Sequence, residues 1–319
     1  MIYPKCFTGV TSIFITHDGF LQPCCMIDSF IRDKKNIESQ SDVLTRNPFY
    51  DFSLHDTEFE DIVTGHKWNN FIDNLLDTDI SVCHLKCGTK DPPYNTGIHQ
   101  HNNVTVWNEK DKRPNRVYNL QIETTNRCTL KCLYCGRNRK PKNLNKSDLP
   151  IEIIDDALSY KHINKLQDCG NYGDPIFYKH YHEMLFILGG TSIKEYGASI
   201  AATGRTQSWW NETQQLWKWL SDRGMDVKIH WGIDGLEHTS KMHRVEQDWN
   251  EIIEQMRIAS ENGVNCLWRY IPMSFNEHQI DEARQLAEEW GVDFYLHHSR
   301  RFGKNDPNKP RGKYELKDG

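Results

Sequence analysis

From residue 117 to residue 298 the chain alternates between two kinds of segment. VYNLQIE, INKLQDCG, YGASIAATG, DVKIHWGIDG, VNCLWRYIP and VDFYLHH are short and rich in β-branched and aromatic residues, and read as strands. The longer runs IEIIDDALSYKHI, PIFYKHYHEMLFILGG, NETQQLWKWLSDRG, DWNEIIEQMRIASENG and NEHQIDEARQLAEEWG carry helical spacing. Pro150 suits a helix start, Asp248 an N-cap, and Gly224 and Gly291 helix stops. In the last helix Ile280, Ala283, Ala287 and Trp290 share one face. Strands alternating with helices imply parallel βαβ units with right-handed crossovers. Six strands are too few for a closed eightfold barrel, so an α/β fold, a partial (β/α)6 parallel barrel over residues 101–299, is expected.

Such architectures carry their chemistry at the C-terminal ends of the strands. Here the first strand runs into TTNRCTLKCLYC, the second into CGNYGDP, the third into ATGRTQ and the fourth into GIDGLEHTSKMHR. The first of these holds Cys128, Cys132 and Cys135 at C-x3-C-x2-C with no fourth cysteine nearby. Cysteine-held metal centres usually take four ligands, so one coordination position remains to be explained.

The 319 residues carry a net charge of −5, which argues against a global attraction to nucleic acid or anionic membrane. No apolar run reaches the roughly 18 residues of a membrane span, and MIYPKCFTGV lacks the order of a signal peptide. A cytoplasmic, reducing location is therefore expected, where ten clustered cysteines read as metal sites before disulfides. Residues 91–103 read as a loop. Residues 300–319 are polar and basic and read as a mobile C-terminal tail.

The C-x3-C-x2-C segment, with aromatic Tyr134 before its last cysteine, resembles the signature of the radical S-adenosylmethionine (SAM) superfamily. Gly173, Asp174 and Pro175 resemble that family's GGEP segment, with Asp in place of Glu. IDGLEHTSKMHR resembles the S-I-D-G…R segment of a subgroup with additional iron–sulfur clusters, with Gly232 where Ser is common. The resemblance runs from about Val117 to His298. It implies a [4Fe–4S] cluster on Cys128, Cys132 and Cys135, with its fourth iron open to the amino and carboxylate groups of SAM. Reductive cleavage of SAM would then give a 5′-deoxyadenosyl radical that abstracts hydrogen from a substrate. The same resemblance implies that Tyr134 touches the adenine, Gly173 and Asp174 receive the SAM amino group, and Thr203 and Gly204 line the ribose. Arg244 would pair with the SAM carboxylate, and Pro175 and Asp234 complete the expected cofactor-binding set. A zinc or purely structural iron–sulfur site is the alternative for the three cysteines.

Upstream, Cys6, Cys24, Cys83 and Cys87 stand in C-x12-G-x4-C and C-x3-C arrangements, with Cys25 competing with Cys24. TSIFITHDGFLQPCC reads as two strands about a DG turn, and EFEDIVTGHKWNNFIDNLL as one helix. The arrangement resembles the SPASM or twitch module that holds an auxiliary [4Fe–4S] cluster, here in residues 1–100 and so before the barrel. Zinc also suits four such cysteines.

The resemblance implies a radical SAM enzyme acting on a peptide or protein or a small metabolite, with an external one-electron reductant such as flavodoxin or ferredoxin and no membrane partner. An RNA-modifying radical SAM enzyme and a non-catalytic iron–sulfur or zinc interaction protein are the rivals. Arg127, Lys131, Arg137, Arg139, Lys140, Lys142 and Lys146 form a basic stretch that reads as a solvated loop, or alternatively as a contact for an acidic partner. The His pairs 99/101, 180/182 and 297/298 read as ordinary histidines, Cys169 as an inert thiol, and Trp209, Trp210, Trp217 and Trp219 as packing.

Overall fold

The computed structural model describes residues 3–4, 12–25, 27–28, 51–77, 88–89, 119–139, 146–297, 299 and 301–314. Cys6, Cys83, Cys87, His298 and the expected boundary near residue 100 lie outside them. The chain packs as two compact units: Met1–Thr124 with Ser147–Gln167 and Gly190–Ile193, and Thr125–Lys146 with Asp168–Gly189 and Lys194–Gly319.

In the first unit β1 (Tyr3–Pro4) pairs antiparallel with β4 (Gly88–Thr89), Pro4 standing opposite Gly88. The expected hairpin forms: β2 (Ser12–Ile15) and β3 (Leu21–Gln22) are antiparallel around Gly19, which sits at φ +80°. One pairing was not expected. β2 also runs parallel to β5 (Asn119–Ile122), with Ile13 opposite Leu120 and Ile15 opposite Ile122. Ile13, Phe14 and Ile15 are all buried, the continuous apolar run of a strand covered on both faces. β6 (Lys165–Asp168) follows β5 in the sheet order.

The helix expected over EFEDIVTGHKWNNFIDNLL is two helices, α1 (Phe59–Thr64) and α2 (His66–Asp77). Gly65 separates them with an extended backbone, φ −71° and ψ 150°. A β-carbon there would stand 2.7 Å from the Asp61 carbonyl oxygen, so the break requires glycine. α3 (Ile151–Ser159) starts directly after Pro150, as expected, and its Asp156 accepts the Phe59 N–H at 2.8 Å.

In the second unit β7 (Glu195–Ile200), β8 (Asp226–Gly232), β9 (Asn265–Tyr270) and β10 (Asp293–Leu296) form consecutive parallel pairs. α4 (Tyr181–Gly189) precedes β7, and the intervening helices are α5 (Gln207–Asp222), α6 (Glu237–His243), α7 (Trp249–Glu261) and α8 (Ile280–Glu289). Asp248 caps α7 by accepting the Glu251 N–H at 3.1 Å, and Gly224 and Gly291 follow helices at positive φ.

Tryptophans join helices to one face of this sheet. Trp231 of β8 meets Trp210 and Trp217 of α5 at ring distances of 6.3 and 6.0 Å, and Trp268 of β9 stacks on Trp290 at 6.0 Å. Trp210, Trp217, Trp231 and Trp268 are all buried, each ring pair adding about 0.5–1.5 kcal/mol beyond area burial. Side chains alternate across a strand, so Gly232, Arg269 and Tyr295 fall on the opposite face. The fold is α/β with a parallel-strand sheet, and all six expected barrel strands are present.

Candidate active site at the strand ends

Cys128, Cys132 and Cys135 lie on the irregular loop that opens the second unit; Cys132 is buried and the others half-buried. Arg137 braces this loop. It donates to the Leu130 carbonyl at 2.6 Å, to the Cys128 carbonyl at 3.0 Å and to Cys135 Sγ at 3.5 Å. Arg137 was expected on a solvated basic stretch; it is instead half-buried and engaged with the loop backbone. Lys131 and Leu133 donate backbone N–H bonds to the Val245 and His243 carbonyls, so the cysteine loop runs beside the segment after α6. That segment contains Glu246 at φ +72°, a strained conformation for a non-glycine residue.

Asp234, just beyond β8, is fully buried. It accepts from Arg244 Nε at 2.6 Å, sits 2.7 Å from His243 Nδ1 and accepts the Ile271 N–H at 2.7 Å. Burial opposes its charge, yet the Arg244 guanidinium and the His243 hydrogen bond outweigh burial and hold the carboxyl well below the usual range. Arg244 Nη1 reaches to 4.0 Å from Cys132 Sγ. A β-carbon on Gly232 would stand 3.0 Å from Arg244 Nη2, so glycine in place of the subgroup's serine gives the guanidinium its room.

The GDP segment has a different grip. A β-carbon on Gly173 would fall 1.7 Å from the Thr125 carbonyl oxygen, so only glycine fits there. Asp174 is buried, and its carboxylate accepts N–H bonds from Ala201 and Ala202 at 2.8 Å each and from Ile176 at 3.3 Å. The carboxylate expected to meet the SAM amino group thus ties the end of β7 to the GDP turn. Pro175 is buried and opens the short 3-10 turn Pro175–Phe177. Thr203 accepts the Asp248 N–H through its hydroxyl at 2.9 Å, and its carbonyl accepts the Thr129 hydroxyl at 3.1 Å. Gly204 is exposed at φ +101°, its N–H held 2.9 Å from both Glu251 carboxylate oxygens.

Gln247 had no motif to announce it. Buried, it donates to the Ala201 carbonyl at 2.6 Å and the Gly232 carbonyl at 3.0 Å, clamping the ends of β7 and β8. Tyr134 is also held in a way the sequence did not disclose. Its hydroxyl donates to Asp306 at 2.6 Å and accepts from Asn308 at 3.0 Å, its carbonyl accepts from Arg301 at 2.9 Å, and its ring meets Phe302 edge-on at 5.2 Å. Residues 301–314 are therefore a docked strap and not the mobile tail expected. Glu277 anchors their far end by accepting from the Arg311 and Gly312 N–H groups and the Tyr314 hydroxyl.

The loop suits an iron–sulfur cube by its donor set: three thiols, two guanidinium groups beside them, and no further side-chain ligand supplied by the loop. Burial, then the Asp174 charge, pushes the Cys128 thiol up to about 12, so a positively charged centre is what would hold it as thiolate. Among the described residues no three Cys, His, Asp or Glu side chains converge as ligands of a single metal ion would. A cube held one thiolate per iron does not require such convergence. Of the cysteines expected upstream, Cys24 is described; it is half-buried and its Sγ accepts the Ile27 N–H at 3.4 Å.

No curated protein matches this sequence. Among solved structures, Streptococcus suis SuiB bound to precursor peptide SuiA is similar at 14% identity and TM-score 0.48, covering 95% of this chain and 64% of that one. Native anSMEcpe with bound AdoMet is similar at 13% identity and TM-score 0.45, covering 60% and 55%. Methylornithine synthase is similar at 13% identity and TM-score 0.38, covering 57% and 53%. The chain thus spans between 53% and 64% of the length of these structures. The sequence profile of the Radical SAM superfamily matches residues 122–287, which include the cysteine loop, the GDP turn, Asp234 and Arg244. That span is just over half of the 319 residues, and the chain belongs to the radical SAM superfamily.

Proposed function

We propose that this enzyme cleaves SAM reductively at the Cys128/Cys132/Cys135 loop and uses the resulting radical on a peptide, protein or small metabolite. The observation that carries the reading is Arg244, held at one edge by buried Asp234 and reaching toward Cys132 with the other. A [4Fe–4S] cluster held there would supply the electron for reductive cleavage of SAM and so the radical chemistry at a substrate C–H.

The chain's own groups do the positioning. Cys128, Cys132 and Cys135 would hold three irons, and Arg137 fixes the loop that carries these cysteines. Arg244 presents Nη donors to the SAM carboxylate from a guanidinium whose Nε is already spent on Asp234. Gly173 keeps the GDP turn tight against Thr125, leaving backbone groups of the turn for the SAM amino group, while Asp174 holds the turn to β7. Thr203 and Gly204 offer the ribose a wall braced by Asp248 and Glu251, and Tyr134 offers the adenine a ring fixed by the strap.

Cys6, Cys24, Cys83 and Cys87 are proposed to hold an auxiliary [4Fe–4S] cluster in a twitch-like arrangement within residues 1–100. In support, β1 ends two residues before Cys6 and pairs with β4, which starts one residue after Cys87. Four cysteines close that cluster to substrate, which suits relay or bracing. The electron donor is a flavodoxin- or ferredoxin-class protein, and the enzyme acts in the cytoplasm.

The test is anaerobic: reconstitute with iron and sulfide, reduce with dithionite, add SAM and assay 5′-deoxyadenosine beside the Cys128→Ala/Cys132→Ala/Cys135→Ala variant. About eight irons with product, and roughly four without product in the variant, are expected. Zinc in place of iron, or no 5′-deoxyadenosine from loaded and reduced wild type, overturns the reading in favour of a binding protein.

A further inference from the structure

On the face of strands β8–β10 opposite the tryptophans, one strand over from Gly232, stands Arg269. It is half-buried on β9, directly opposite Tyr295 of β10. A buried or half-buried cation is normally matched by a carboxylate, because desolvating an unmatched charge is costly. Among the described residues no carboxylate lies within ion-pair reach of Arg269. Its neighbours are rings. Nη2 sits 3.4 Å from both Nδ1 and Nε2 of His297, a position along neither lone pair, and Cζ lies 5.9 Å from the Tyr295 ring centroid. Burial, and then the Arg269 charge, push the His297 imidazole down to about 4, so it is neutral at pH 7 and adds no second cation. The Tyr295 hydroxyl has no hydrogen-bond partner among the described residues.

We infer that Arg269, with Tyr295 and His297 beside it, is the recognition point for a carboxylate of the substrate. This deepens the proposed radical SAM reading by naming a chemical handle its substrate carries. The charge count selects the anion. Arg244, the guanidinium over Gly232, is already matched by Asp234, so Arg269 itself offers one positive charge for one negative. A carboxylate satisfies it with two oxygens on the guanidinium fork, whereas a phosphate dianion leaves a charge over. Position supports the role. Arg269 is in register with Gly232, over which Arg244 lies, and strands are spaced about 4.8 Å apart. A substrate held there by its carboxylate lies alongside the group that reaches Cys132.

The test needs no turnover. Reconstituted, SAM-loaded protein is titrated calorimetrically with N-acetylglycine, with neutral N-acetylglycinamide and with inorganic phosphate, for wild type, Arg269→Gln and Arg269→Lys. N-acetylglycine is expected to bind at least about tenfold more tightly than the amide or phosphate. Arg269→Gln should lose that preference while melting like wild type, and Arg269→Lys should keep part of it, with SAM affinity unchanged in both. Equal binding of acid and amide, or a preference that survives Arg269→Gln, overturns the inference. So does Arg269-dependent binding of phosphate above the carboxylate, or a matching loss of SAM affinity, which would assign Arg269 to SAM itself. 5′-Deoxyadenosine is assayed on the same preparation: its absence defeats the radical reading, and the titration judges the carboxylate site separately.

Discussion

Arg244 and Asp234 are joined at 2.6 Å across the end of β8, and the carboxylate in that pair is fully buried. Removing one member of such a pair leaves an uncompensated charge, a loss of roughly 3–5 kcal/mol for buried pairs. Asp234→Asn is therefore expected to lower stability by about that order and to weaken SAM binding through a displaced Arg244. Anaerobic urea unfolding and SAM calorimetry measure both; a variant with wild-type stability and SAM affinity would remove Asp234 from the site.

Gly173→Ala forces a methyl group into the Thr125 carbonyl, and an unrelieved contact of this kind costs about 1–3 kcal/mol. At Gly204 a β-carbon meets nothing within 4 Å, so the strain of φ +101° is the sole local obstacle to Gly204→Ala. The expected order is a larger loss of 5′-deoxyadenosine formation for Gly173→Ala. The reverse order would show that the GDP turn is not tight in the working enzyme.

Arg137→Met removes three hydrogen bonds from the cysteine loop at near-constant volume. Iron per chain after reconstitution and desalting should fall, with the loss concentrated in the loop cluster. Undiminished iron and activity would return Arg137 to the solvated surface.

Deleting residues 301–319 frees Tyr134 from Arg301, Phe302, Asp306 and Asn308. Two or three lost hydrogen bonds at about 1 kcal/mol each predict SAM affinity reduced roughly tenfold or more. The double variant Asp306→Ala/Asn308→Ala, which keeps the strap, should show a smaller change in the same direction.

His297 gives a pH signature. Its folded value near 4 lies below the unfolded value of about 6.5, so between the two the unfolded chain takes up a proton that the folded chain refuses. Stability therefore falls as pH drops through that window, by at most about 1.4 kcal/mol per pH unit from this group. Above pH 6.5 both states are neutral and the group contributes no slope. His297→Gln should flatten the wild-type curve there; an unaltered slope would mean that burial and the Arg269 charge do not act on the ring as described.

The strands and helices after residue 117 were legible because each repeats a local signal: β-branched runs, helical spacing, Asp248 as a cap, glycines as stops. Three features resisted such reading. β2 looks like half of a hairpin, and its second, parallel partner is more than a hundred residues away. Gly65 splits a helix whose hydrophobic spacing continues across the break. The basic stretch and the C-terminal segment look solvated because charge marks a surface unless something engages it, and Leu130, Cys128 and Tyr134 do so here.

Sequence alone determined the cysteine triad, the GDP segment, Asp234 and Arg244 as candidate residues and membership of the superfamily, since all of these are residue types at set spacings along the chain. Tertiary structure alone decided what each does with its neighbours. Asp174 spends its carboxylate on the end of β7, Gln247 clamps two strands, the strap holds Tyr134, and Arg269 stands among rings with no carboxylate in reach among the described residues. Hydrogen bonds and desolvation depend on distances between groups far apart in sequence, and those distances exist only once the chain has packed.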